Sequence, residues 1–239
     1  MFVVWHVLWA GLWGGFLAVE RSAILQAMFS RPLVASIGTG LFLGDIEAGL
    51  YVGVVFELFY LGSASLGGHH PDHDTLPSVC ASAFAATWAN ASSSHGTPAT
   101  AAMAILLFAP LGRLGRSLER YLDDRAGKLE HKALLRADAG DLKRAARESL
   151  FGVGPHFFAF GLPCALAAAL GYLAAPLEEK LSVEALRGLA WAYPAMACAS
   201  AAMSVLGSHA YRARRIATLA ASFIAIVSFL IWFQEGAFE

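Results

Sequence analysis

A carboxylate lies in the middle of an apolar run long enough to cross a membrane: Glu57, within residues Ala48 to Gly67. An acid at mid-bilayer costs about 2.5–3.5 kcal/mol on insertion scales, so Glu57 must face protein, water or ligand. The same run carries Gly49, Gly53, Gly62 and Gly67. The apolar run before it, Pro32 to Gly44, falls well short of the about 20 residues that a single crossing needs. A short apolar arm, an acidic turn at Asp45 and Glu47, and a glycine-interrupted second arm fit a re-entrant or broken-helix element. Irregular backbone persists at membrane depth only where it lines a cavity, so this is the signature of a transport site.

Composition places the rest of the chain in the same solvent. At 57% hydrophobic and 15% charged, with a mean hydropathy of +0.57, it reads as an all-α polytopic membrane protein. The formal net charge of −1 carries no message by itself, because the charges of a membrane protein act through their placement in loops. Nothing points to nucleic acid. Cys80, Cys164 and Cys198 stand singly in apolar segments, without the spacing of a disulfide framework or a zinc site, and read as small core residues. Residues 2–19 lack a basic n-region and a small-residue cleavage site, which argues against a signal peptide and for a first membrane helix. His6, Gly11, Gly14 and Gly15 give that helix a face suited to packing on other helices.

Glu20, Arg21 and Ser22 read as a polar hinge, followed by an amphipathic turn from Gln26 to Arg31. Pro32 biases Arg31 away from helix and puts it at the mouth of the next element. Leu76 to Asn90 and Thr97 to Leu111 are apolar, each a span or half of a hairpin. From Arg113 to Leu150, ten Lys or Arg residues mix with seven Asp or Glu, and Leu118, Leu122, Leu129 and Ala133 share one helical face. This is a cytoplasmic amphipathic connector helix, lying on the membrane or linking two membrane halves, and either a docking face for a soluble partner or a solvated linker. Spans over Pro155 to Pro176, Ala185 to Gly207 and Ile216 to Phe233 complete the chain. By the positive-inside rule, residues 113–150 and the basic turn Tyr211 to Arg215 face the cytoplasm, and the loop from Leu177 to Leu186 with its acids faces outward.

The ordered set Arg31-Pro32-Leu33, Gly40 to Asp45 (Gly-Leu-Phe-Leu-Gly-Asp), Gly49, Gly53, Glu57, Leu61-Gly62 and Pro71-Asp72 resembles the membrane IIC subunit of the mannose/fructose/sorbose class of the bacterial sugar phosphotransferase system. The chain departs from that pattern at Leu25 and Met28, where polar residues are usual, at Ser65, where Asn is common, and at Gly68, His69 and His70. The resemblance implies one IIC-type domain over residues 1–239. Its parts are a first span and entry (1–31), a core with re-entrant elements (32–112), the connector (113–150) and three further spans (151–239). It further implies a permease component in the bacterial inner membrane that binds and translocates a hexose-type sugar, assembles as an oligomer with a IID membrane subunit, and hands the sugar to cytoplasmic IIB, itself supplied by IIA. No cofactor and no catalytic residue are expected in this chain.

A neutral pyranose is held by groups matched to its hydroxyls, and hydrogen bonds to charged groups are worth about 1.5–3 kcal/mol. Glu57 leads the substrate-binding candidates, with Asp45, Gln26, Ser65, Asp72, His69 and His70. Asp45 reads equally as the cap of a half-helix, and Asp72, after Pro71, as the cap of the next helix. Phe56, Phe59 and Tyr60 either stack on a sugar or pack. Gly40, Gly44, Gly49, Gly53, Gly62 and Gly67 allow close backbone approach and positive φ. Two rival readings remain: a IIC-like regulator or sensor, and a metal-binding membrane protein using His69, His70, Asp72, His73 and Asp74. Adjacent His69 and His70 converge poorly on one ion, and no metal site is expected. No Gly-x-Ser-x-Gly or His-Glu-x-x-His pattern supports a hydrolase.

Overall fold

The computed structural model describes residues 2–23, 25–61, 72–92 and 97–206, all of whose regular elements are helical. They are α1 (Phe2–Ser22), α2 (Pro32–Leu43), α3 (Ile46–Tyr60), α4 (Thr75–Ser92), α5 (Pro98–Phe108), α6 (Leu111–Asp138), α7 (Leu142–Phe151), α8 (Val153–Ala174), a 3-10 turn (Ala175–Lys180) and α9 (Val183–Leu206). The segment 62–71, the basic turn at 211–215 and the expected last span at 216–233 lie outside the described residues.

The broken-helix hairpin expected from the sequence is formed by α2 and α3. Arg31 adopts the extended backbone that a residue before proline prefers, and Pro32 opens α2, where its missing N–H costs nothing. Gly44 ends the helix in the left-handed region (φ 84°), and its N–H reaches back toward the carbonyls of Gly40 and Leu41. Asp45 then caps α3, its Oδ1 accepting from the Ala48 N–H at 3.0 Å. The arms, of 12 and 15 residues, are about 18 and 22 Å long, each short of a hydrocarbon core of about 30 Å. Small residues close the hairpin: Gly49 lies against the Ser36 carbonyl, Gly53 against Ser36 and Leu33, and Gly40 against the backbone of Asp45.

At the centre of the bundle is α4, buried along nearly its whole length from Thr75 to Ala89, with α2, α3, α5 and α8 around it. On α8, Gly171 meets α4 so closely that an added Cβ would collide with Thr87 Oγ1 and the Phe84 carbonyl. Overpacking of this kind typically costs about 1–3 kcal/mol. Gly171→Ala is therefore expected to lower the melting temperature of the detergent-solubilised protein by several degrees. An unchanged melting temperature would contradict this packing of α4 on α8.

One sequence expectation near the N-terminus is corrected. The polar hinge at Glu20 to Ser22 is the last turn of α1, which continues because partners come to it: Ser22 Oγ donates to the Ala18 carbonyl, and Glu20 Oε2 accepts from the Ser30 N–H. The stretch from Gln26 to Arg31 is a turn, as expected, and it is tightly wound: Leu25, Gln26 and Met28 have positive φ (68°, 47° and 65°). The first helix has two faces. Gly11, Gly14 and Gly15 press on Gly161, Cys164, Ala165 and Phe157 of α8, and Val4, Trp5, Leu8 and Leu12 are exposed on the outside, where lipid would lie.

The connector is a helical hairpin. It folds back at Gly140 (φ 82°), and Asp141 caps α7 through the Arg144 N–H at 3.2 Å. Within it Leu122 and Ala133 are buried, as their shared face predicts. The return arm α7 runs on into α8 and the 3-10 turn as one helix of 37 residues, Leu142–Glu178. This continuity joins the connector's return arm to α8 in a single long helix. With α1, it is one of two described helices long and apolar enough to cross a membrane; α5 and α6, bent by 45°, make a third if taken as one span.

Candidate functional site: the open end of the re-entrant hairpin

The open ends of α2 and α3 meet where Glu57 faces the start of α2. Arg31 donates to Glu57 Oε1 from both Nε (3.1 Å) and Nη2, and Oε2 accepts from the Leu33 N–H at 3.2 Å. The acid within the apolar run is thus satisfied by a guanidinium and by an otherwise orphaned helix N-terminus, which is how its burial is tolerated. Its side chain keeps 19% of its surface and that of Arg31 41%, so the pair sits at an accessible edge. A carboxylate offers about four lone-pair sites. Three protein hydrogen bonds leave room for one more donor.

A second polar network adjoins the first through the connector between α1 and α2. Arg21 reaches Asp74, donates from Nε to Glu119 Oε1 at 3.1 Å and contacts Thr75 Oγ1 at 3.3 Å. Thr75 donates to the Ser30 carbonyl at 2.7 Å, and the Ser30 N–H donates to Glu20, which is fully buried. The ends of α1 and α4, the connector and α6 are therefore pinned to one another by charged groups. Beside them, Asp72 pairs with Arg116 at 3.2 Å, and the His73 N–H donates to the Gly112 carbonyl at 3.0 Å. The Tyr60 hydroxyl lies where any side chain on Gly112 would be.

Of the substrate-binding candidates, Glu57 and Asp72 fall at this end, and Gln26 is exposed on the adjoining connector. Asp45 does not join them: it stands at the hairpin tip, about 18 Å along α3 from Glu57, so one pyranose cannot touch both. Ser65, His69 and His70, with Gly62 and Gly67, lie outside the described residues. Asp72 does not cap α4, which begins later, at Thr75. The cap comes from Asp74 Oδ1, accepting from the Thr75 N–H, and from His73 Nδ1, accepting from the Leu76 N–H. Asp72, His73 and Asp74 thus go to different partners, and the His73 ring stacks on Phe160. The metal-binding alternative loses three of its five ligands to these contacts. Phe56 is buried and stacked on Tyr60, and Phe59 is exposed.

The sequence reading missed Glu20, Arg21, Asp74, Thr75 and Glu119 as a set. Their partners lie up to 98 positions apart, and no local spacing announces them. A charged Glu-Arg pair at the end of an apolar helix was the available signal.

Residues 4–233 match the family described as the PTS system sorbose-specific IIC component. The chain belongs to this family. No curated protein matches it significantly. One solved structure, described as a membrane protein, is 19% identical, with a TM-score of 0.63 over 98% of this chain and 95% of the other. A second, the mannose transporter ManYZ in complex with microcin E492, is 20% identical, with a TM-score of 0.54 over 99% of this chain and 92% of the other. These two likenesses concern the fold. The IIC subunit is a multi-pass membrane permease component of a sugar phosphotransferase system and acts with other subunits of that system.

Proposed function

We propose that this IIC subunit binds a hexose-type sugar at the open end of the α2–α3 hairpin and releases it toward the cytoplasm, where a IIB partner phosphorylates it. Glu57 and Asp72 would accept hydroxyl hydrogens, Gln26 would approach from the connector, and Ser65, His69 and His70 belong to the segment that joins α3 to α4. Asp45 serves the hairpin as a cap. The observation that carries this reading is the Glu57 carboxylate, held by Arg31 and the Leu33 N–H at an accessible edge with one lone-pair site unspent. The basic α6–α7 hairpin projects from the same end of the bundle, which makes that end cytoplasmic by the positive-inside rule. A IID membrane partner, IIA upstream of IIB, an oligomeric assembly and the bacterial inner membrane complete the proposal.

Cells that co-express the chain with IID and IIB partners, given labelled D-mannose, D-fructose, L-sorbose or D-glucosamine, are expected to accumulate at least one as the sugar phosphate, dependent on phosphoenolpyruvate. Failure with every sugar, alongside a stable complex with IIB, would overturn transport in favour of a regulatory subunit.

A further inference from the structure

The opposite end of the bundle holds a cavity that the Glu57 site does not use. It measures about 700 Å³ and is lined by Ser92 at the end of α4, Tyr172 on α8, Pro176 and Glu178 in the 3-10 turn, and Leu186 on α9. This lies within the about 300–1,000 Å³ of small-molecule sites. The 18 residues of α4 separate it from the Thr75 end by about 27 Å, so it is a distinct site. It is also the end reached by the hairpin tip, since Asn90 Nδ2 donates to the Leu43 carbonyl at 2.6 Å.

Its polar groups are organised from behind. Trp88, buried beneath the cavity, donates from Nε1 to Glu178 Oε2 at 2.6 Å. That bond fixes the carboxylate, and Oε1 takes no hydrogen bond from a described residue. Tyr172 is held in turn by its hydroxyl on His6 Nδ1, with the two rings stacked. A fixed acceptor, an aromatic ring and a lining of mixed polarity together suit a sugar, whose hydroxyls donate and whose C–H face packs on rings. The Glu178 carboxylate repels phosphate, so the site favours the unphosphorylated sugar that arrives over the sugar phosphate that leaves.

We propose that this cavity is an entry subsite for the unphosphorylated sugar, in which Glu178 Oε1 accepts a hydroxyl hydrogen and the Tyr172 ring packs on the sugar face. The inference rests on the permease reading and names the place where the sugar is first held. Trp88 is a positioning residue that acts through Glu178.

The test is saturation kinetics of labelled D-mannose and L-sorbose uptake in cells co-expressing the IID and IIB partners, paired with equilibrium dialysis of the same sugars against the purified membrane complex. Glu178→Ala and Tyr172→Ala are expected to raise KM about tenfold with the maximal rate retained, and Tyr172→Phe to stay within twofold of wild type. Glu178→Gln guards against a folding defect: with an unchanged melting temperature it should still weaken binding. Trp88 fluorescence should respond to sugar in wild type, and the response should be lost in Glu178→Ala. A KM within twofold of wild type for Glu178→Ala overturns the subsite. If wild type transports no sugar, the permease reading fails by itself, and dialysis decides the subsite: binding lost in Glu178→Ala supports it, and binding that is absent or indifferent to Glu178 overturns it.

Discussion

Glu57→Gln is expected to leave the protein folded while cutting sugar uptake at least tenfold, and Glu57→Ala is expected to damage both. The two substitutions separate the tasks that converge on this carboxylate. An amide oxygen still accepts the Leu33 N–H, so the glutamine keeps the cap on α2; alanine leaves that N–H without its partner, a loss worth about 1 kcal/mol. Arg31 keeps 41% of its side-chain surface and turns to water when its partner is neutralised, so the ion pair itself contributes at most about 1 kcal/mol. Binding responds more sharply. A hydroxyl donating to a charged acceptor gains about 1.5–3 kcal/mol, and a difference of 1.4 kcal/mol is about tenfold. Uptake of labelled sugar, with melting temperature measured on the same variants, gives both readings. Wild-type transport by Glu57→Gln would remove Glu57 from the sugar site and leave it as a clamp for the hairpin.

Gly49→Ala is expected to abolish uptake and to lower the melting temperature more than Gly44→Ala does. The two glycines, five positions apart, serve different physics. Gly44 is left-handed (φ 84°) with nothing within 4 Å of an added Cβ, so alanine there meets only backbone strain of about 1–2 kcal/mol. Asparagine should recover part of it. Gly49 has ordinary helical backbone, but its Cβ would strike the Ser36 carbonyl, a backbone group that cannot move unless α2 and α3 separate. Separation at Gly49 pulls on Gly53 and on the Arg31–Glu57 contact, so the damage reaches the sugar site. Thermal unfolding of both variants in detergent, beside uptake, checks the order. A larger loss from Gly44→Ala would show that the turn, and not the contact between the arms, holds the hairpin.

The hairpin itself is legible in the sequence. Pro32, Gly44 and Asp45 specify a start, a stop and a restart through backbone geometry that acts within a few residues, and Glu57 in an apolar run forbids a lipid-facing helix. The same local logic gave the helical character of 113–150, though not its reversal at Gly140, because a turn between two charged helices changes neither composition nor periodicity. The length of α1 was misread for a related reason. Glu20 and Arg21 look like an interface with water until their partners, Ser30, Asp74 and Glu119, are brought to them.

The sequence by itself determined the solvent, the helical class, the broken hairpin and the family, because hydropathy, proline, glycine and helix caps act locally and leave a readable pattern. Only the tertiary structure decided which polar residues act together. It divided Asp45 from Glu57 by the length of α3, gave Asp72 to Arg116, and set Glu178 on Trp88 above a cavity. In an apolar bundle each buried charge must find a partner across the fold, and those partners are chosen by helix packing, which spacing along the chain does not encode.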